Sequence, residues 1–408
     1  MSSSSTHLPA PLAIARRAST SARFLPMLLH RVAAGRIEVQ TPSGERIAHH
    51  AAAPGPSATL VLHRWRALRR LLFGGDLGFA ESYMDGDWSS PDLPTLIEFA
   101  AHNQSALGDS LEGVGVLRWL NRLLHRRRAN TRSGSRRNIE AHYDLGNDFY
   151  AAWLDRGMTY SSALFTRPDL SLEDAQAAKL ARITALLEPQ PGDRVLEIGC
   201  GWGGLAERLI RAAGCHVTGI TLSPSQLGYA RARLEQAGLA ARGDLRLEDY
   251  RDTTGRFDRI ASIEMFEAVG MDYWAAYFAA LRERLAPAGV AVLQVITIAD
   301  EKFSTYRASP DFIQRHIFPG GMLPSPSALR RCLATAGLAL THEETFGASY
   351  VATLAEWRRR FHRSWADLLA LGFDERFRRK WDYYLGYCEG GFRAGAIDVG
   401  LYRLTHQQ

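Results

Sequence analysis

The sequence has few cysteines, few lysines and no long apolar run. Four cysteines occur in 408 residues and none belongs to a CxxC pair, which argues against a disulfide framework and against a zinc site. No apolar stretch reaches the ~18 residues that suggest a membrane span. Residues 1–20 also lack the apolar segment of a signal peptide. These absences favour a globular protein of a reducing cytoplasm.

Basic residues are in excess, and nearly all of them are arginine. Lysine and arginine number 49 against 43 acidic residues, and only three of the 49 are lysines. Segment 113–138 holds eight arginines and no acid. We interpret it as a basic linker, which is either a solvated tether or a patch that contacts anionic lipid. No nucleic-acid-binding motif accompanies this charge, so nucleic acid is not an expected partner.

The length of 408 residues suggests two or three domains. We expect a disordered tail (1–20), a small α+β domain (21–112), the basic linker and a larger domain (139–408). In the small domain, residues 32–50 predict two strands around the turn TPSGE. Residues 51–58 (AAAPGPSA) predict a loop, and residues 60–75 predict a helix that ends at its two glycines.

Strand-like and helix-like segments alternate in the larger domain. The strand candidates are RVLEI, HVTGI, DLRL, RFDRIASI and GVAVLQVITI. Helical patterns such as AERLIRAA, PSQLGYARARLEQAG and YWAAYFAALRERLA separate them. This alternation predicts an α/β fold with a largely parallel sheet and helices on both faces.

A glycine-rich motif follows the first of these strands. RVLEIGCGWGG (194–204) runs from a buried strand into four glycines and then into a helix. Glycines permit a tight turn and a close approach of a ligand to the backbone. The next strand, HVTGITLS, ends without the acidic residue that would bind the ribose in a nicotinamide enzyme. The motif E-I-G-x-G is instead typical of enzymes that use S-adenosylmethionine.

Eight motifs occur in the order of one known family. They are AHYDLGNDFY (141–150), MTYSSALF (158–165), VLEIGCGWGG (195–204), TLSPSQ (221–226), EDYRD (248–252), FDRIASIEMFEAVG (257–270), IFPGGMLPS (317–325) and YLGYCEGGFR (384–393). Together they resemble the cyclopropane-fatty-acyl-phospholipid synthases, whose relatives are the mycolic acid cyclopropane synthases. Residues 24–110 also resemble the N-terminal domain of the bacterial lipid enzymes. The resemblance implies a Rossmann-like S-adenosylmethionine-dependent methyltransferase domain with a helical cap over an acyl channel.

The resemblance also implies a reaction and its needs. In this family, the π electrons of a cis double bond in a phospholipid acyl chain attack the methyl group of S-adenosylmethionine. A carbocation remains on the chain, and loss of a proton from the transferred methyl group closes a cyclopropane ring. The site must therefore be apolar, must stabilise a cation by aromatic faces or a carboxylate, and must hold a base.

The family's base resembles a bound bicarbonate that a Cys, a Glu, a His and a Tyr hold. The Glu corresponds to Glu267 and the Tyr to Tyr350, and another family cysteine corresponds to Cys388. Two positions depart from the family, because Ser162 replaces the Cys and Gln294 replaces the His. Both can still donate hydrogen bonds to an oxyanion, but neither supplies the charge of a protonated histidine. Bicarbonate binding therefore stays open. The purely structural alternatives also stay open, in which Tyr350 is a core tyrosine and Cys388 is a small buried apolar residue.

Further family positions correspond to contacts with the cofactor. The implied S-adenosylmethionine-binding residues are Tyr160, Ser161, Gly199, Cys200, Gly201, Trp202, Gly203, Thr221, Gln226, Asp249 and Ile263. Asp249 is expected near the adenine. No metal ligand set is predicted.

Three alternatives to ring formation remain open. The carbocation can undergo a hydride shift and then lose a proton, which gives a methyl- or methylene-branched chain. The same fold can methylate a small amine, in which case a small polar pocket is expected instead of a deep apolar channel. A non-enzymatic lipid-binding protein would not need the glycine loop. For the lipid enzyme, we expect a cytoplasmic protein peripheral to the inner membrane leaflet, with the homodimer as an open question.

Overall fold

The structure, a computed structural model, describes residues 20–108 and 145–407. The predicted tail, apart from its last residue, and the predicted basic linker lie outside the described residues. The described chain forms a four-stranded sheet near the N-terminus and a seven-stranded sheet in the remainder. Among the helices of these two ranges, none combines the length and apolar character needed to cross a membrane.

The N-terminal unit surrounds its small sheet with helices. Its elements are α1 (Thr20–Leu29), β1 (Ala34–Gln40), β2 (Arg46–His50), β3 (Ala53–Leu62), α2 (Arg66–Met84), β4 (Trp88–Ser89), α3 (Leu93–His102) and α4 (Gln104–Leu107). Strand β1 pairs antiparallel with β2 and parallel with β3, and β4 pairs antiparallel with β3. Buried Val39, Leu60, Leu68 and Trp88 share one apolar core. The predicted small α+β domain is confirmed.

Two local predictions in this unit are wrong. Residues 53–58 of the segment predicted as a loop belong to β3. They lie at an edge of the described sheet, because β4 pairs with Val61 and Leu62 alone. An edge position tolerates its two prolines, which cannot donate to a sheet. The helix predicted over 60–75 begins only at Arg66, since the preceding apolar residues complete β3. Gly75 interrupts α2 with a left-handed conformation (φ 63°), but the helix resumes and ends at Met84.

The larger unit contains the following elements in chain order. They are α5 (Asn147–Ala151), α6 (Leu172–Leu187), β5 (Arg194–Ile198), α7 (Gly204–Ala213), β6 (His216–Thr221), α8 (Pro224–Gln236), β7 (Gly243–Leu247), β8 (Phe257–Ile263), α9 (Trp274–Arg284), β9 (Leu285–Ile298), α10 (Asp300–Tyr306), α11 (Phe312–His316), α12 (Pro326–Thr335), β10 (Leu338–Thr345), α13 (Gly347–Arg363), α14 (Trp365–Ala370), α15 (Glu375–Arg393) and β11 (Ile397–His406). Short 3₁₀ turns occupy Ala240–Arg242, Phe266–Ala268 and Met271–Tyr273.

The seven strands form a mixed sheet of order β10-β11-β9-β8-β5-β6-β7. Strands β5 to β9 pair parallel, and β11 runs antiparallel to both of its neighbours. The five strand candidates of the sequence are all present. The strand order reverses between β5 and β8, and ligands bind at such a point, beyond the carboxyl ends of the strands.

Helices cover both faces of this sheet. On one face, Leu209 of α7 and Leu234 of α8 pack with Val195 of β5. On the other face, Phe278 of α9 and Leu333 of α12 share a second core. The predicted Rossmann-like α/β fold with helices on both faces is confirmed.

Helices α13, α14 and α15 form a cap that also joins the two units. Helix α15 approaches α3 closely, and a Cβ atom at Gly390 would lie 2.7 Å from the carbonyl oxygen of Pro94. Helix α2 also contacts α15, and there the hydroxyl of Tyr83 donates a 2.5 Å hydrogen bond to Asp382. Gly386 and Gly390 of the motif YLGYCEGGFR therefore serve the packing of the cap on the N-terminal unit, whereas Gly391 faces Ile397 of β11.

Candidate active site

The glycine loop lies directly after β5, at the reversal of strand order. Gly199, Gly201 and Gly203 have φ angles of 83°, 51° and 81°, which are left-handed conformations that favour glycine. A Cβ atom at Gly203 would lie 3.0 Å from the side chain of Ala230, whereas a Cβ atom at Gly201 would meet nothing within 4 Å. The loop thus leaves open space beside its backbone, and the amides at the N-terminus of α7 follow it.

Most of the predicted cofactor residues line one cavity at this edge of the sheet. These residues are Tyr160, Ser161, Gly199, Cys200, Gly201, Trp202, Thr221, Gln226 and Ile263. Two of them bond to each other, since the Thr221 hydroxyl donates to Gln226 Oε1 at 2.8 Å. Tyr160 and Tyr384 join their hydroxyl groups at 2.8 Å. The sequence motifs therefore converge on one space.

Two predicted cofactor residues do not line the cavity. Gly203 serves the packing of the loop on α8, as described above. The carboxylate of Asp249 accepts hydrogen bonds from the guanidinium of Arg251 at 2.8 and 2.6 Å. Its neighbours Glu248 and Tyr250 line the cavity instead. We therefore expect the adenine beside Glu248 and Tyr250 rather than beside Asp249. The hydroxyl of Tyr250 is buried and has no hydrogen-bond partner within the described ranges.

The cavity is large and reaches far beyond the glycine loop. Its volume is about 1460 Å³, above the ~300–1,000 Å³ that is usual for small-molecule pockets. Its lining includes apolar residues of the N-terminal unit, among them Leu29, Leu60, Phe79 and Phe99. A single space thus connects the predicted cofactor loop with a channel lined by apolar side chains.

A buried carboxylate that the sequence analysis overlooked lies at the centre of this site. Glu264 follows β8 and accepts three hydrogen bonds from groups that are distant in the sequence. The backbone amide of Ser162 donates to Oε1 at 2.8 Å, and Gln294 Nε2 donates to the same oxygen at 2.6 Å. The hydroxyl of Tyr350 donates to Oε2 at 2.7 Å. Three positions of the predicted anion site therefore converge on the side chain of Glu264.

The charge of Glu264 is set by opposing effects. Burial raises the pKa of Glu264, while the bonds from Tyr350 and Ser162 and the ammonium of Lys179 act to lower it. Lys179 is itself buried, donates to Ser161 Oγ at 2.6 Å, and has its pKa lowered by burial to about 8. Because three donors and a cation favour the anion, we assign the negative charge to Glu264.

Glu267 lies nearby but outside this set of donors. Its Oε1 accepts a 2.5 Å hydrogen bond from the amide of Ile296, and its buried Oε2 has no partner among the residues described. Burial first, and then repulsion by Glu264, raise the pKa of Glu267 to about 8. At neutral pH, Glu267 is therefore a neutral acid; the sequence analysis placed it among the residues that hold the family's bicarbonate.

The remaining predicted catalytic residues have different surroundings. Ser162 acts through its backbone, because its hydroxyl donates to the carbonyl oxygen of Ala163. Cys388 and Tyr350 line the cavity, and burial raises the pKa of both groups well above the ordinary values. Cys388 is thus a protonated thiol that behaves as a small apolar group, and Tyr350 is a donor. Gln294 is fully buried and donates to Glu264.

The aromatic side chains of Tyr160, Tyr350 and Phe392 line the same cavity. Tyr160 lies 5.4 Å from Trp357, centroid to centroid, and Tyr350 lies 4.6 Å from Phe392. Such faces stabilise a positive charge by their quadrupoles. The site can therefore accommodate a cation between π faces and a carboxylate.

Comparison with known protein families identifies the family of this chain. Residues 130–401 match the family model described as mycolic acid cyclopropane synthetase. The chain belongs to this family. It is an S-adenosylmethionine-dependent fatty acyl C-methyltransferase, as the resemblance of the motifs indicated.

Relatives match most of the chain. It is 38% identical over 403 residues to a tuberculostearic acid methyltransferase, UfaA1, of Mycobacterium tuberculosis, with 96% of this chain and 92% of the relative covered. It is 37% identical over 339 residues to the cyclopropane-fatty-acyl-phospholipid synthase of Escherichia coli, with 81% and 83% covered. Among solved structures, it is similar to the mycolic acid cyclopropane synthase CmaA1 complexed with SAH and CTAB. That likeness has a TM-score of 0.62 and 32% identity, and covers 66% of this chain and 97% of the other.

The residues present fit S-adenosylmethionine. The open space beside Gly201 forms a cradle for a ligand, and the N-terminus of α7 offers amides to a carboxylate. The buried, unpartnered hydroxyl of Tyr250 offers a further hydrogen bond within the described site. The residues that would hold the cofactor are therefore the loop 199–202, Thr221, Gln226 and the pair Glu248 and Tyr250.

Proposed function

We propose that this enzyme methylates a cis double bond in the acyl chain of a membrane phospholipid and so converts it to a methylene-branched acyl chain. One observation carries the lipid part of the proposal. The cavity is continuous from the glycine loop to the apolar lining of the N-terminal unit. A small amine needs no such channel, and a lipid carrier without chemistry needs no cofactor cradle.

The residues of the site suit this reaction. When bound, S-adenosylmethionine supplies an electrophilic methyl group to the alkene. Tyr160, Tyr350 and Phe392 line the cavity, and their faces can stabilise the positive charge that develops on the acyl chain. The apolar walls exclude water, which would otherwise capture this charge as an alcohol.

Two observations support a branch over a ring. A relative that covers 96% of this chain is named for tuberculostearic acid, a methyl-branched fatty acid. In addition, Gln294 occupies the position where the family carries a histidine, so the positive charge of a protonated histidine is absent, which disfavours the capture of bicarbonate and fast ring closure. The ring remains the second candidate, because the Escherichia coli relative is named for it.

Electron balance limits the product to the methylene form. After a hydride shift, loss of a proton from the transferred methyl group gives an exocyclic C=C bond without any reductant. A saturated methyl branch needs a further hydride and a further proton. A separate reducing enzyme must therefore act on this product if the saturated chain is formed.

The substrate implies a position at a membrane surface. A phospholipid acyl chain reaches the cavity only if the protein contacts the bilayer. We propose peripheral contact with anionic lipid at the cytoplasmic face, which the excess of arginine supports. Sedimentation with anionic and with neutral vesicles tests this part, and equal binding to both would contradict it.

A deuterium-labelled lipid distinguishes the two products. The purified enzyme receives phospholipid vesicles whose acyl chains bear one deuterium on each carbon of the cis double bond. A ring keeps one deuterium on each ring carbon, whereas the hydride shift places both on the carbon beside the branch. NMR and mass spectrometry of the released fatty acids read the label. One deuterium on each carbon, or no methylated chain at all, would contradict the proposal.

A further inference from the structure

The three donors that could hold a separate anion such as bicarbonate already bind the carboxylate of Glu264. The three donors that converge there come from three elements of the fold, and each already bonds to one of its oxygens. Ser162, Gln294 and Tyr350 also stand at three of the positions that hold bicarbonate in the family, where the sequence analysis left bicarbonate binding open. No donor of this set is left for a second anion, and a further negative charge would meet the Glu264 carboxylate at close range.

The backbone of Glu264 indicates that its side chain is required. Its φ angle is 50°, a left-handed conformation that costs roughly 1–2 kcal/mol for a residue with a Cβ atom. Glycine would avoid this cost. Strain of this kind persists where the surroundings fix the residue, and it is concentrated at functional sites.

The position of Glu264 suits contact with the reacting atoms. It lines the cavity directly after Ile263, at the carboxyl end of β8 and beside the reversal of strand order. Its amide donates to the carbonyl oxygen of Gln294 at 2.8 Å, so both ends of the residue are fixed by β9. The carboxylate is thereby fixed in the cavity that the cofactor loop and Tyr350 also line.

The neighbouring charges leave Glu264 able to accept a proton. Lys179 supplies one buried positive charge that attracts it. Among the described residues, the Glu267 carboxyl group accepts hydrogen bonds from backbone amides alone, that of Ile296 among them. Since the two carboxyl groups repel each other, one of them carries a proton. The better-solvated anion is the one with three donors, which is Glu264.

We propose that the Glu264 carboxylate is the proton acceptor of the reaction and takes the place of a bound bicarbonate. This inference rests on the proposed function. A C–H bond of the transferred methyl group breaks, and its electron pair forms a ring C–C bond or an exocyclic C=C bond on the acyl chain. The proton passes to an oxygen of Glu264 and later leaves to solvent. Both products lose the proton from the same methyl group, so one fixed carboxylate serves either outcome.

Bicarbonate dependence tests the proposal first. The full-length enzyme is assayed on unsaturated phospholipid vesicles with methyl-labelled S-adenosylmethionine, in buffer freed of CO₂ and in the same buffer with added bicarbonate. Wild-type turnover is expected to be equal in both. A slower reaction without bicarbonate, restored by its addition, would overturn the proposal.

Two substitutions at position 264 provide the second test. Glu264→Gln keeps the volume and loses the base, and turnover should fall by about 100-fold or more, as on removal of a general base. Glu264→Gly suits the backbone and frees the three donors, so bicarbonate or formate should restore part of its turnover. Substantial turnover of Glu264→Gly without added anion would refute the assigned role.

A matched control and a binding measurement separate this proposal from the proposed function. Glu188 has the same φ angle of 50° but does not line the cavity, so Glu188→Gly should leave turnover unchanged. Calorimetry with bicarbonate alone should detect binding to Glu264→Gly and none to wild type. Binding to wild type, or none to Glu264→Gly, would overturn the inference. If no variant methylates lipid although all bind S-adenosylmethionine, the proposed function fails, and the calorimetry still decides the anion site.

Discussion

The hydroxyl of Tyr350 on α13 donates a 2.7 Å hydrogen bond to Oε2 of Glu264, 86 residues earlier in the chain. Burial raises the pKa of the Glu264 carboxyl group, and the bond from Tyr350 acts to lower it. Helix α13 thus adjusts the proton affinity of a group that follows β8. A residue of the cap and a residue at the end of a sheet strand therefore act together in one site.

Removal of this donor should shift the pH dependence of turnover. A hydrogen bond to a charged group contributes about 1.5–3 kcal/mol, and 1.36 kcal/mol corresponds to one pKa unit. In Tyr350→Phe the pKa of Glu264 rises, so the ionised base is lost at a higher pH as the solution is acidified. We expect the acid limb of the kcat profile to move up by about one pH unit. Tyr402→Phe changes a buried tyrosine outside the cavity lining and should leave this limb in place. An unmoved limb in Tyr350→Phe would contradict the assignment.

Glu267→Gln should behave unlike Glu264→Gln. The amide mimics the neutral acid, so turnover near neutral pH should fall by less than about ten-fold, well below the loss on removal of a general base. Because the folded-state pKa of Glu267 is raised to about 8 from an ordinary value of 4.5, the folded state holds a proton that the unfolded chain has released. Wild-type stability therefore decreases as pH rises from the ordinary pKa of 4.5 to the folded-state pKa of about 8.

Urea unfolding checks the second half of this prediction. Relative to wild type, Glu267→Gln should gain stability between about pH 5 and about pH 8. A constant difference over this range would show that Glu267 does not hold the proton. A loss of turnover as large as that of Glu264→Gln would return the base to Glu267.

Gly201 offers a test of the cofactor cradle. Alanine at this position costs about 1 kcal/mol in the left-handed region, and its Cβ atom enters open space beside the loop. We expect Gly201→Ala to weaken S-adenosylmethionine binding by ten-fold or more in calorimetry, on the order of 1.4 kcal/mol. Gly192 also has a positive φ angle and open space but lies before β5, away from the cavity. Gly192→Ala should therefore lose similar stability and keep its affinity, and equal affinity in the two variants would contradict the cradle.

The sequence predicted the frame of the site better than its centre. The five strands, the glycine loop and the residues after β6 could be placed because hydrophobic runs and glycines report directly on the local backbone. Gln294, Ser162 and Tyr350 were also placed, through motifs. Which atoms they meet depends on the pairing of β8 with β9 and on the docking of α13, and neither is encoded locally.

Glu264 was overlooked although the sequence carries a signal for it. It is an acidic residue immediately after a buried parallel strand, at the edge where ligands bind. The family pattern directed attention to Glu267, three residues later. Asp249 shows the same limit, since EDYRD offers several acids and only the fold decides that Glu248 lines the cavity while Asp249 pairs with Arg251.

Asp382 should contribute to the stability of the joined units. It accepts hydrogen bonds from Tyr83, Arg358 and His362 at 2.5, 2.7 and 2.7 Å. Although burial raises the pKa of Asp382, the bond from His362 and the charge of Arg358 hold it far below its usual range. Stability from such a group is present above the ordinary pKa of about 3.9 and is lost as pH falls through the folded-state value.

Asp382→Asn removes this charge and leaves Arg358 unpaired. At neutral pH it should lose about 3–5 kcal/mol of unfolding free energy, as when a buried pair is broken. The difference from wild type should shrink as the solution becomes more acidic than about pH 4. Asp374→Asn, at the N-cap of the same helix, retains a capping group and should change stability little. A pH-independent difference in urea unfolding would contradict the charged state of Asp382.

Ala100 of α3 tests the path of the acyl chain. It lines the part of the cavity that belongs to the N-terminal unit, so Ala100→Trp should shorten the channel. Each excluded methylene forfeits about 0.8 kcal/mol of burial, so two methylenes correspond to roughly ten-fold. We expect turnover on long acyl chains to fall by that factor or more, turnover on short chains to fall less, and S-adenosylmethionine affinity to stay constant. Glu98→Trp, on the same helix but outside the cavity lining, is the matched control and should retain the wild-type preference. An equal loss on long and short chains would place the acyl chain elsewhere.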